Sequence, residues 1–268
     1  MSGGCSPQNA ISISVMTQDS AAKFDASRAD EYARQSRIAL AGYDACHELS
    51  ACMLSAALGT GRPAKVLVVG AGGTAGEIVA AARLEPHWTF CAVDPSKPML
   101  DVAQTHLMYA EVADRVETVL GTLDDLRTAT LFDAAIMIGV LHHLPGEAAK
   151  LAILSQIASR LQPRAPLIVA GNYRHYASEP LLMAAWAARW RMSGAQPEEV
   201  QLKMAKILQG AEPPRSEEMV ISLLSDAGFD EPLRFFSSLF WGAWLTRLLR
   251  NETAAHTEAG GRTRAGMP

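Results

Sequence analysis

Val66-Leu67-Val68-Val69-Gly70-Ala71-Gly72-Gly73-Thr74-Ala75-Gly76-Glu77 decides the fold: an apolar strand runs into a glycine-rich turn and opens into a helix. Glycines at 70 and 72 let the backbone turn tightly and approach a ligand where a Cβ would clash, while the helix start offers unbonded N–H groups. A second apolar run, Thr89-Phe90-Cys91-Ala92-Val93, ends at Asp94, about twenty positions on, where a carboxylate is placed to accept from a ribose. Together these features predict a nucleoside cofactor. Taken alone the turn is ambiguous, because dehydrogenases share it and plain structural turns imitate it.

Outward from this stretch, strand-like and helix-like segments alternate, the pattern of a parallel sheet covered by helices on both faces. Strands are expected at 65–69, 88–93, 115–120, 132–138 and 165–171, and helices at 74–83, 97–109 and 147–161. Ser96 is a candidate cap for the second of these helices and Pro163 a stop after the third. Ahead of the sheet, apolar residues between Ala26 and Leu58 recur at helical spacing and break at Gly42, which predicts a helical pair. Beyond it, Pro180 to Met192 is apolar nearly all round and Glu198 to Leu208 is a further helical run. Ser216 then caps a helix ending at Gly228, and two strands are expected within 232–248.

The chain has 268 residues, 49% hydrophobic, enough to bury one α/β core but not an independent second domain beside it. We expect a polar, disordered tail over 1–24, one domain over 25–250 with a helical insertion at about 178–210, and a second disordered tail over 251–268. A net charge of −4 gives no electrostatic footprint for nucleic acid. Cys5, Cys46, Cys52 and Cys91 show neither CxxC nor zinc-finger spacing, and read as reduced thiols of a cytoplasmic protein. The N-terminus lacks a basic n-region and no apolar stretch is long enough to span a membrane, so no membrane association is expected.

Four ordered segments choose among nucleoside binders. Val93-Asp94-Pro95-Ser96-Lys97-Pro98-Met99-Leu100, Gly121-Thr122-Leu123-Asp124-Asp125-Leu126, Phe132 to Leu144 and Leu161 to Ala170 resemble, in order, the segments around the second to fifth strands of class I S-adenosylmethionine (SAM) methyltransferases. The resemblance implies a Rossmann-like seven-stranded sheet, SAM as cofactor and methyl transfer to an O, N or C nucleophile of a small molecule. Arg37-Ile38-Ala39-Leu40-Ala41-Gly42-Tyr43 and Ser225-Asp226-Ala227-Gly228-Phe229 further resemble carboxy-SAM synthases, so that residues 24–248 are covered.

The resemblance implies cofactor contacts at Tyr43, at Gly70, Ala71 and Gly72, at Asp94 and Pro95, and at Thr122 and Leu123. Many relatives carry an aspartate where this chain has Thr122, which leaves the roles of Asp124 and Asp125 open. The arginine with which carboxy-SAM synthases hold their extra carboxylate falls at Met204, and their fourth-strand asparagine near Ile138. Neither residue can pair with a carboxylate, so ordinary SAM fits better, although Lys203 or Arg191 can reach from a neighbouring turn.

For the acceptor, His142 and His143 follow the fourth strand and Tyr173 and His175 the fifth, at the sheet edge where ligands of α/β folds gather. His142, His143 and His175 are candidate bases, and Tyr173, His175 and Arg191 candidate substrate contacts. The plain alternative is that the histidines bond loop backbone and that Tyr173 belongs to a polar loop. Arg37 can reach the cofactor carboxylate or form a surface ion pair; Tyr43 can meet the cofactor or pack as core. No metal pattern is present and none is expected in the reaction. Trp186, Trp190 and Met192 suggest core, an acceptor pocket or a homodimer interface. Three rivals remain: a carboxy-SAM synthase feeding tRNA wobble-uridine modification, an NAD-dependent oxidoreductase, and a SAM-binding partner subunit without catalysis.

Overall fold

A computed structural model describes residues 26–127 and 131–249. Both predicted disordered tails and Cys5 lie outside the described residues. The described residues begin with helices α1 (Ala26–Ala39) and α2 (Tyr43–Leu58), broken at Gly42, whose φ of 81° is left-handed and suits glycine. Strand β1 (Ala64–Val69) and helix α3 (Gly76–Leu84) flank the glycine turn; β2 (Trp88–Asp94), α4 (Lys97–Tyr109) and β3 (Val116–Leu120) follow. Next come β4 (Ala134–Ile138), α5 (Gly146–Ala158) and β5 (Pro166–Asn172). An insertion of α6 (Pro180–Met192) and α7 (Pro197–Gly210) leads to α8 (Glu217–Asp226) and the hairpin β6 (Leu233–Ser238) and β7 (Trp241–Arg247).

The seven strands form one sheet in the order β3-β2-β1-β4-β5-β7-β6. The first five are parallel, whereas β7 lies antiparallel between β5 and β6. That antiparallel insertion departs from the all-parallel dinucleotide-binding sheet, which removes the topological support for an oxidoreductase. Chain order reverses between β1 and β4, and the crevice beyond their carboxyl ends is where a ligand of such a sheet lodges. Alternate residues of the strands feed two cores. Leu67, Val69, Ala135, Met137, Leu167 and Val169 meet one face, while Val66, Val68, Ala134, Ile136 and Ile168 meet the other.

Where the boundaries depart from the sequence reading, the backbone gives the reason. Helix α3 starts two residues later than expected because Ala75 is left-handed, with φ 47°, and extends the turn. Phe132 lies outside β4, in an isolated bridge to Leu161, so α5 stops at Ala158 and the residues behind it pair instead. Ser96 occupies the cap position of α4, but its side chain makes no cap bond; its N–H donates to Asp94 Oδ1 at 2.8 Å. Ser216 does cap α8, accepting from the Met219 N–H at 3.3 Å. Cys46 and Cys91 are buried and Cys52 exposed, all three free. Among the described residues no helix is long and apolar enough to cross a membrane.

The tryptophans of α6 are core of this one chain. Trp186 packs with Tyr176 and Phe240, and Trp190 with Ile38, Val200 and Met204. The uncovered aromatic face that suggested a homodimer therefore does not exist; only Met192 of the three is exposed, at 85%. Helix α6 is also tied to the end of α1, where carbonyls lack helical partners: Trp186 Nε1 donates to Ala39 O at 2.8 Å and Arg189 Nε to Ile38 O at 2.9 Å.

Candidate active site

The glycine turn is bound to the end of β2. Gly70 N–H and Ala71 N–H both donate to Val93 O, and Gly121 N–H donates to Asp94 O, which draws the ends of β1, β2 and β3 together. Gly70 has φ 71°, and a Cβ there would run into Val140. At Gly72 a Cβ would stand 2.5 Å from Met99 Cβ and 2.7 Å from Asp94 Oδ2. Glycine at 72 is thus required by the protein's own packing, not by open space kept for a ligand, as its place in the motif suggested.

Asp94 is 9% exposed and accepts from Gly72 N–H at 3.0 Å and Ser96 N–H at 2.8 Å, one on each oxygen. Burial pushes its pKa up, while those two N–H groups pull the other way. Each carboxylate oxygen keeps a further lone pair, so the group still has room for two hydroxyl donors. Pro95 is exposed beside it. On the far side, Thr122 caps a short 3-10 turn (Leu123–Asp125), and the N–H of Leu123 lies outside that turn's own hydrogen bonds. Asp125 accepts from Thr122 N–H at 2.8 Å and Asp124 from Gln156 Nε2 at 2.9 Å, so both acids serve the protein's own structure.

Tyr43 opens α2 and reaches Thr74 of the glycine turn, hydroxyl to hydroxyl. Burial raises its pKa to about 12. Three neighbours escaped the sequence reading. His47, one turn on from Tyr43, donates from Nδ1 to Tyr43 O at 2.7 Å and faces Glu77 Oε2 with Nε2 at 3.4 Å. Glu77 is buried in the first turn of α3, and the Tyr32 ring of α1 lies against Gly73. The available signals were the i, i+4 spacing of Tyr43 and His47 and an acid one turn after the glycines. Arg37 is a surface residue: it pairs with Asp44 at 2.8 Å while its guanidinium stacks over the Tyr43 ring, 4.9 Å from the centroid.

Burial alone would lower the pKa of His47, but the hydrogen bond and charge of Glu77 outweigh it and raise the value above 6.5. A charge favoured in the fold contributes stability that is complete below the unfolded value and is lost as pH rises through the folded one. His47→Gln is therefore expected to lower the melting temperature more at pH 6 than at pH 9; equal losses at both pH values would show that the pair carries no such charge.

The acceptor candidates are less concentrated. His142 is buried, and its Nδ1 accepts from Asn172 N–H at 3.4 Å. Burial first, then the charges of His143 and Lys150, lower its pKa well below the ordinary value, so it is neutral with its proton on Nε2. This backbone bond is the plain alternative to a base for His142, and it occupies Nδ1. The ring of His143 lies tilted against it, centroids 4.3 Å apart. Tyr173 is not a pocket residue but core, 2% exposed, its hydroxyl accepting from Arg174 and Arg234. Arg191 is exposed near the end of α6. His175 is exposed and, with Glu147, Lys150, Tyr176 and Glu212, lines a cavity of about 650 Å³ beside the exits of β4 and β5. Among the described residues no cluster of three or more His, Cys, Asp or Glu side chains can hold a metal.

Residues 67–167 match the family model for the methyltransferase domain. The fold is that of solved methyltransferases. A candidate O-methyltransferase of Nostoc punctiforme superposes with a TM-score of 0.60 at 16% identity over 83% of this chain and 59% of that one. Human N-acetylserotonin methyltransferase, solved with SAM, gives 0.54 at 16% over 76% and 52%. The methyltransferase SibL gives 0.55 at 19% over 91% and 71%. This chain thus spans a little over half the length of the first two. No curated protein matches the sequence. The matched span, set in a sheet of the methyltransferase fold, makes residues 67–167 similar to a methyltransferase domain.

Proposed function

We propose that the chain transfers a methyl group from SAM to an oxygen of a neutral small molecule. The observation that carries this reading is the buried Asp94 carboxylate, fixed by two N–H groups yet still able to accept from two hydroxyls, beside a turn where both glycines are sterically required. Such a group suits the vicinal hydroxyls of a ribose. In this reading Gly70, Ala71 and Gly72 border the methionine end, Tyr43 and Thr74 close it, Pro95 edges the ribose, and Thr122 with the Leu123 N–H meets the adenine. SAM, when bound, supplies a methyl already activated on a sulfonium. The chain's residues then have to hold the acceptor in line and keep water out.

Oxygen is preferred because the residues packed with Tyr43 about the ends of β4 and β5, Ile138, Ala170, Ala243 and Trp241, are apolar or aromatic. An amine acceptor would arrive charged. The neighbours include mitomycin 7-O-methyltransferase, at 18% identity and a TM-score of 0.54. For the cofactor we favour ordinary SAM over carboxy-SAM, since Met204 packs against the cluster around Trp190 and offers no cation. The subunits are proposed to work in the cytoplasm; a homodimer would need a surface other than the tryptophans.

Asp94→Ala should weaken SAM binding by about 2 kcal/mol, roughly thirtyfold, by leaving ribose hydroxyls without acceptors. Calorimetry on the folded variant is the test, and an unchanged affinity would remove Asp94 from the cofactor site.

A further inference from the structure

Two buried polar atoms at the carboxyl edge of the sheet have no hydrogen-bond partner: Asn172 Oδ1 and Trp241 Nε1. They belong together. Asn172 is the last residue of β5, Trp241 the first of β7, and the two are direct cross-strand partners. One atom can only accept and the other only donate, so together they call for a ligand that carries both a donor and an acceptor. Folded chains rarely leave such atoms unmatched without a use for them. Asn172 is 5% exposed, and its Nδ2 is anchored on the Tyr176 hydroxyl at 2.7 Å, which holds the amide in orientation.

The pair also stands next to the cofactor turn. The far edge of the Trp241 indole lies 3.6 Å from where a Cβ of Gly139 would be, and the neighbouring Val140 fills the space beside Gly70. The His142 ring meets the indole edge-on at 5.3 Å. Ile138, Ala170, Ala243, Leu40 and Tyr43 complete the surroundings, none of them charged.

We propose that Asn172 and Trp241 are the recognition pair for the methyl acceptor, and that this acceptor is an uncharged ring compound carrying a hydroxyl. The hydroxyl donates to Asn172 Oδ1, and a neighbouring oxygen or ring nitrogen accepts from Trp241 Nε1. A lone carboxylate would face the amide oxygen and a lone ammonium the indole N–H, each buried with one contact repulsive. This assignment rests on the methyltransferase reading above.

Catechol and o-xylene share an outline and differ in polar edge, so they serve as probes. In ligand-detected NMR titrations of the full chain, with and without S-adenosylhomocysteine, catechol should bind the wild type at least about tenfold more tightly than o-xylene, the worth of one good polar contact. Asn172→Leu and Trp241→Phe should each bring that ratio close to one while SAM affinity, by calorimetry, stays within about threefold. The second variant guards against misfolding at Asn172, where Tyr176 would lose a partner. A wild type that does not prefer catechol overturns the acceptor class; a preference that survives both variants overturns the pair. If the variants lose SAM instead, the two atoms hold the ammonium and carboxylate of the cofactor's methionine end. A wild type that takes no SAM defeats the methyltransferase reading itself, and the titration without cofactor still reads the pair.

Discussion

Gly72→Val is expected to weaken SAM binding by at least about a hundredfold, or 2.7 kcal/mol. The added Cβ would lie 2.5 Å from Met99 Cβ and 2.7 Å from Asp94 Oδ2, closer than such atoms approach. Met99 is fixed in the first turn of α4 and packed as core, so it cannot withdraw. The carboxylate must swing away. It then loses the Gly72 N–H bond that holds Oδ2, and the two remaining lone pairs no longer point where a ribose would be. The effect therefore exceeds that of Asp94→Ala, because the valine displaces the turn as well as the acceptor. Calorimetry on protein whose circular dichroism matches the wild type is the check; a Kd within about threefold of the wild type would mean that the turn adapts and that Gly72 is not what positions Asp94.

The central parallel strands were legible because β1, β2, β4 and β5 are nearly continuous apolar runs bounded by polar turns, as strands covered on both faces are, whereas the edge strand β3 carries Glu117 and Thr118. The glycine turn and Asp94 were legible for a related reason: their chemistry is local, spelled within a strand, a turn and the next strand. What escaped was contact between distant segments. Nothing near His47 shows that Glu77, thirty residues on, lies 3.4 Å away, since the meeting depends on how α2 packs against α3. Likewise Tyr173 reads as a polar residue following a strand, yet the antiparallel β7 places Trp244 against its ring, centroids 5.1 Å apart, and buries it. The polar edge of Asn172 and Trp241 is of this kind too, formed only when β7 inserts beside β5. The glycine turn itself reads partly wrong in sequence, where ligand clearance and internal packing give the same residue.

Trp190→Glu should lower the stability of the chain by about 4 kcal/mol, within the range for removing a buried aromatic ring, and should do so without a change in oligomeric state. Trp190 is 4% exposed and joins Ile38 of α1, Val200 of α7 and Met204 in one cluster, so the ring links three helices. Lys203 Nζ lies 5.2 Å from the ring centroid and can offset part of the new charge, which keeps the loss from growing further. Urea unfolding followed by fluorescence and light scattering separates the two explanations of a tryptophan-rich helix. A stable variant of reduced mass would restore the interface reading, and an unchanged urea midpoint would show that the ring is not core. Loss of midpoint at constant mass is the result the packing requires. It would carry a functional consequence, because α6 anchors the end of α1 through Trp186 and Arg189, and α1 in turn presents Tyr32 to the glycine turn. SAM affinity in the variant should therefore fall as well, although no residue of the cluster borders the turn.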